Sequence, residues 1–183
     1  MRFHHKLMPA FFAGFFILAA SVGAQPNSSV KGEVIEFGIY KAASSKTTEN
    51  PDTPNGKRTT SKGVEFTEHT DKIPGTKGVS FGIRYKLTGL TGEDSVELKK
   101  VVKHPPFKNK KGETESEYSL ALTRKPKNGT VVSVEGYQLG GGDQLTPGTW
   151  TFEIWYHDQK LVSQSFNIVS PAETKKKETA TKG

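Results

Sequence analysis

Residues 148–169 read Gly-Thr-Trp-Thr-Phe-Glu-Ile-Trp-Tyr-His-Asp-Gln-Lys-Leu-Val-Ser-Gln-Ser-Phe-Asn-Ile-Val, and the period of that stretch is two. Trp150, Phe152, Ile154 and Tyr156 fall on one side of an extended chain, and Thr151, Glu153, Trp155 and His157 on the other. β-Branched and aromatic residues dominate both sides, which predicts the closing hairpin of an antiparallel sandwich. A slip of one residue would turn every side chain of the second strand to the opposite face, so parity constrains the register. A three-residue loop, Asp158-Gln159-Lys160, sets Tyr156 opposite Val162, Phe152 opposite Phe166 and Trp150 opposite Ile168. A two-residue loop would need a bulge to keep those residues on one face.

The same period recurs upstream. Ile35, Phe37 and Ile39 mark a first strand, Val64 and Phe66 a short second one, and Val79, Phe81, Ile83, Tyr85 and Leu87 a strong third. Val96, Leu98, Val101 and Val102 follow, with Lys99-Lys100 breaking the alternation as a bulge would. Tyr118, Leu120 and Leu122, then Val132 and Val134, complete the set, with Asn128-Gly129 as a turn before the last. Ile73-Pro74-Gly75 reads as a turn. Residues 41–62 hold Ser, Thr, Lys, Asn and Pro without a large apolar side chain and read as an unusually long polar loop.

No helical period interrupts these strands. The expected fold is all-β, an antiparallel Ig-like or fibronectin-like sandwich of about seven or eight strands, with a small closed barrel around a ligand cavity as the alternative. Trp150, Phe152, Phe166, Phe81 and Ile83 are expected in its core. The chain has no Cys, so there is no disulfide and the core must hold the fold alone.

Arg2 and Lys6 precede the apolar run Phe11-Phe12-Ala13-Gly14-Phe15-Phe16-Ile17-Leu18-Ala19-Ala20, and Val22-Gly23-Ala24 follows it. That is the pattern of a signal peptide over residues 1–24, cleaved after Ala24, and the run is too short to span a bilayer. The expected product is an exported, periplasmic or secreted protein without a transmembrane segment. It comprises a domain over residues 25–170 and a Lys-rich tail, residues 171–183, whose composition predicts disorder. Cleavage removes two positive charges from the formal +7 and leaves +5, since no acidic residue precedes Glu33.

Three stretches together, Gly78-Val79-Ser80-Phe81-Gly82-Ile83-Arg84-Tyr85-Lys86-Leu87, His104-Pro105-Pro106 and residues 147–156, resemble a family of small exported bacterial domains catalogued as a domain of unknown function, number 3859. The resemblance covers most of the chain after residue 24. It implies an exported β domain and brings no activity, cofactor or site residue.

The chemistry available to the residues is sparse. His69, His104 and His157 stand far apart, no His-x-His or Cys pair exists, and both methionines precede the cleavage site, so neither a metal nor another cofactor is expected. Glu33 with Glu36 and Asp94 with Glu97 have the spacing of solvated charges, and no Gly-x-Ser-x-Gly occurs. Leu139-Gly140-Gly141-Gly142-Asp143 lacks the Lys-Ser/Thr of a phosphate loop.

The segment Lys103-His104-Pro105-Pro106-Phe107-Lys108-Asn109-Lys110-Lys111 is the most distinctive surface feature. Export argues against nucleic acid as its partner. Either Phe107 folds back as a cap on the core, with the lysines guarding a sheet edge, or it projects. In the second arrangement His104, Phe107, Lys108, Lys110 and Lys111 form an interaction surface together with the outward Trp155. Trp155 is either covered from within, by residues 41–62 or the Pro105-Pro106-Phe107 segment, or contacts a partner. The expected function is a non-enzymatic binding module for an envelope protein or an anionic envelope component. The alternative is an envelope hydrolase or metal-handling protein with a site assembled across strands.

Overall fold

The computed structural model describes residues 30–170; the expected signal peptide, residues 1–24, and the Lys-rich tail, residues 171–183, lie outside the described residues, as do residues 25–29. Nine strands follow in chain order: β1 Lys31–Glu49, β2 Lys57–Glu68, β3 Lys72–Pro74, β4 Ser80–Thr88, β5 Val96–Lys108, β6 Thr114–Arg124, β7 Val131–Gln138, β8 Gly148–Tyr156 and β9 Gln159–Val169. They form two sheets, β2-β1-β4-β7 and β3-β9-β8-β5-β6, so the fold is a sandwich and not a closed barrel. The strand beyond the expected eight is β3, whose three residues pair parallel to β9 through Ile73 and Ile168 where a turn was expected.

The apolar faces of the two sheets meet as their alternation requires. Phe81, Ile83, Tyr85 and Leu87 of β4 are wholly buried and face Trp150, Phe152 and Ile154 of β8 and Phe166 of β9 across the core. Phe81 stacks on Phe152 at 5.4 Å between centroids, and Phe166 meets Phe81 edge-on at 5.2 Å.

The closing hairpin places the expected residues inside by a different route. Trp150 pairs with Phe166 and Ile154 with Val162, two residues from the expected register, and Tyr156 pairs with Gln159, three residues from it. The turn is His157-Asp158, with His157 at a φ of 51°. A bulge at Leu161, between the Ile154–Val162 and Trp155–Lys160 pairs, restores the parity that a two-residue turn would have broken. A second irregularity falls at Ile35: Val34 pairs with Tyr85 and Glu36 with Arg84, so Ile35 is the extra residue and is 45% exposed, while Val34 takes the core position.

Residues 41–62 are not a loop. They are the distal part of β1, a short turn, and the first half of β2, a continuous two-stranded ladder from Lys41–Glu65 to Glu49–Lys57. Threonines and serines suit this ribbon because both its faces are wet, and their hydroxyls pair across it, Ser45 with Ser61 at 3.2 Å and Thr47 with Thr59 at 3.0 Å. β1 bends into the arm where the register shifts between Ile39 and Tyr40, beside Gly38 at a φ of 133°. A side chain at Gly38 would run into the Glu68 carbonyl, so only glycine allows the bend.

The arm is fastened at its tip as well as its root. Thr53 is buried in the turn and donates to the carbonyls of Asn50 at 2.8 Å and Lys57 at 2.9 Å. The Pro54 carbonyl accepts the Lys110 N–H at 2.7 Å. The arm therefore arches from the four-stranded sheet to the loop joining β5 and β6.

Candidate functional site

A groove of about 980 Å³ runs between this arm and the free edge of β7. Consecutive residues of β7, Val132 to Gln138, border it, which shows that it follows the strand's edge and not one of its faces. β7 ends its sheet, so that edge has no neighbouring strand. Six cationic side chains line the groove, Lys41, Lys57, Arg58, Arg84, Lys100 and Arg124, against one carboxylate, Glu135.

Three of those charges are set into the gap between the sheets. Lys100 and Glu135 occupy core-facing positions of β5 and β7 and are 4% and 8% exposed. Lys100 Nζ lies 3.2 Å from Glu135 Oε2 and donates to the Gly136 carbonyl at 3.0 Å. Arg124, at the end of β6, donates through Nη2 to Glu135 Oε1 and through Nε to Ser133 Oγ at 3.0 Å. Two cations sharing one carboxylate leave this buried cluster with a net positive charge. The β5 ladder is unbroken from Val96 to Lys103, so Lys99-Lys100 is no bulge: a lysine simply occupies an inward position between Leu98 and Val102.

Two phenols border the cluster. Burial, and after it the nearby Glu135 carboxylate, push Tyr40 and Tyr85 up to about 12, so both remain neutral hydroxyls. Tyr85 Oη is buried without a hydrogen-bond partner in good geometry, although Ser133 and Arg124 lie close enough to act on its proton. Tyr40 packs on Gly136, where a Cβ would sit 2.6 Å from its hydroxyl. Arg84 is neutralised by Glu36 at 2.7 Å. Lys57 and Arg58 on the arm and Arg124 at the strand edge carry the charge that faces the groove.

The residues expected at an interaction surface are dispersed. His104 and Phe107 are 5% and 3% exposed and belong to the core. Their rings stack at 4.1 Å and lie 5.0 and 6.0 Å from Trp150, so Phe107 caps the core and does not project. Burial lowers the His104 pKa, which keeps the ring neutral. Lys108, Lys110 and Lys111 are exposed. Lys110 and Lys111 edge a second hollow with Glu49, Asp52, Glu113, Glu115 and Glu117, and Lys110 lies 3.8 Å from Glu49, so carboxylates outnumber the lysines there.

Trp155 is roughly 30 Å away along β5, opposite Lys99 on the outer face of the five-stranded sheet. Neither the arm nor the Pro105-Pro106-Phe107 segment covers it. Its indole N–H donates to Glu153 Oε2 at 2.9 Å, and the ammonium groups of Lys99 and Lys160 lie over its ring at 5.2 and 5.7 Å. Glu153, 3% exposed, also accepts Lys103 and Lys160 at 3.2 Å each. The outward tryptophan is thus the lid of a satisfied polar cluster.

Burial alone would raise the Glu153 carboxyl, but the bonds from Trp155, Lys160 and Lys103 outweigh it and hold the group below the usual carboxylate range. A depressed folded pKa contributes stability in full above the unfolded value of about 4.3 and loses it as pH falls through the folded value. Glu153→Gln should therefore flatten the acid limb of the stability profile below about pH 4 while costing about 1–3 kcal/mol near neutrality. Chemical denaturation across that range checks both.

Among the described residues, no helix is long and apolar enough to cross a membrane. An immunoglobulin-like protein from Pseudomonas aeruginosa is similar in structure, with a TM-score of 0.54 and 18% identity, over 79% of this chain and all of that one. At this identity the likeness shows the fold alone. A Pseudomonas fluorescens alkylpurine DNA glycosylase, AlkC, bound to DNA containing an abasic site analog, matches 53% of this chain and 27% of its own at a TM-score of 0.38 and 10% identity, too distant to carry an argument. Comparison with curated proteins finds no match. The profile of the family described as Domain of unknown function (DUF3859) matches residues 28–168, and the chain, an immunoglobulin-like β-sandwich, belongs to that family.

Proposed function

We propose that this chain is an exported, non-enzymatic binding module that holds an anionic envelope ligand in the groove beneath the arm. The observation that carries the reading is the groove's lining, six cationic side chains and one carboxylate that is already held by Lys100 and Arg124. Low-dielectric walls on either side focus that charge on whatever enters. The arm gives the groove a second wall without contributing to the core, since its ladder is polar on both faces. A hydrolytic reading has less support, because a carboxylate bound by two cations is poorly placed to act as a base. Export rests on the pattern of residues 1–24.

Binding of poly-L-glutamate and of dextran sulfate to the purified protein, followed as a function of salt, tests this reading. Both should bind, more weakly as salt rises, and Lys57→Glu with Arg58→Glu should weaken them by about tenfold or more. Neither arm side chain contributes to the core, so the variant should fold. Absence of binding by the native protein, or equal binding by the variant, would overturn the proposal.

A further inference from the structure

We infer that the ligand is an extended acidic segment of another polypeptide, which adds to the free edge of β7 as a fifth strand of the four-stranded sheet. This rests on the groove reading above and goes beyond it by naming the partner's chemistry.

The backbone supplies the first argument. The Gly136 carbonyl points away from β4, because Lys100 of the opposite sheet donates to it. In an extended strand the N–H and C=O of one residue point to the same side and alternate along the chain. Val132, Val134, Gly136 and Gln138 therefore turn their main-chain groups to the groove, while Val131, Ser133, Glu135 and Tyr137 bond to β4. The Leu139 N–H donating to Val79 at 3.0 Å continues the same parity. Apart from the Gly136 carbonyl, which Lys100 already holds, such a row of outward main-chain groups lining a groove is a template for another strand.

The side chains supply the second. Val132 is 56% exposed and shares the outward face of β7 with Val134, so an added strand would set β-branched or apolar residues beside them. Its alternate residues would point into the gap between the sheets, toward Arg124 and Lys100, and there carboxylates fit. A polysaccharide or nucleic acid would satisfy the charge but not the edge. The chain's own segment after Pro171 carries four lysines against two glutamates and has the wrong sign. A second copy would bring one basic groove against another.

The test uses a peptide that alternates Val and Glu over the eight residues of β7, the same peptide N-methylated at alternate positions, and dextran sulfate. Val134→Pro removes one edge donor and leaves the bonds to β4 intact, since proline is tolerated where its missing N–H faces out of the sheet. The native protein should bind the peptide. Val134→Pro, or N-methylation in the register that faces β7, should weaken that binding by about tenfold or more, while N-methylation in the other register leaves it as it was. The methylated peptide keeps the test open should the proline variant fail to fold.

Equal binding of methylated and unmethylated peptide in both registers would overturn strand addition and leave the groove reading standing. Failure of every polyanion would overturn the groove reading itself. A concentration-dependent dimer that Val134→Pro abolishes would identify a second copy as the occupant and overturn the proposal in favour of self-pairing.

Discussion

Glu135→Ala should destabilise the fold by about 3–5 kcal/mol, because it strands Lys100 in the interior and Arg124 at its margin without a counter-charge. Lys100 is 4% exposed, and apart from Glu135 it donates to the Gly136 carbonyl alone. Once the carboxylate is gone, the ammonium keeps only that carbonyl and has no counter-charge in the interior. The double change Lys100→Met with Glu135→Leu should recover much of the loss, since apolar residues of similar size satisfy the gap without charge. Urea denaturation of the two variants separates these cases. A near-native Glu135→Ala would show that the cluster is open to water and not part of the interior.

The other large effect belongs to the aromatic centre of the sandwich. Phe152→Ala should cost about 3–5 kcal/mol, because Phe152 is wholly buried and removing its ring leaves a hole between Phe81 and Phe166, each 5.4 Å away. Lys100 holds its ammonium 5.4 Å from the same ring, so the lost support extends to the buried cluster. The two sites are neighbours, and a protein carrying both Phe152→Ala and Glu135→Ala should show non-additive losses.

Phe152 itself was legible in the sequence, as were Trp150, Phe81, Ile83 and Phe166, because alternation records which face of a strand is buried whatever the register of its partner. The hairpin register was not legible: the bulge at Leu161 leaves no compositional mark, and parity admits more than one turn. The arm was hidden for a different reason. A ribbon outside the core has no apolar face, so Ser45, Thr47, Thr59 and Ser61 look like loop residues although their hydroxyls and backbones pair.

The groove escaped for a related reason. Lys100 lies between Leu98 and Val102 at a position whose parity points inward, and a bulge explains such a lysine as readily as a buried ion cluster does. Glu135, between Ser133 and Tyr137, gave the matching signal on β7, but only the packing of the two sheets brings them within 3.2 Å. The segment from Lys103 to Lys111 misled in the opposite sense: Lys108, Lys110 and Lys111 are exposed, yet the carboxylates gathered around Lys110 and Lys111 from distant parts of the chain offset their charge.

Amide hydrogen exchange with and without the alternating Val and Glu peptide tests the central claim, that ligand enters beneath the arm along β7, most directly. Binding should slow exchange at Val132, Val134, Gly136 and Gln138 and along residues 57–63 of the arm, leaving the amides that β7 shares with β4 as they were. Protection on the outer face of the five-stranded sheet around Trp155, with β7 unchanged, would contradict it.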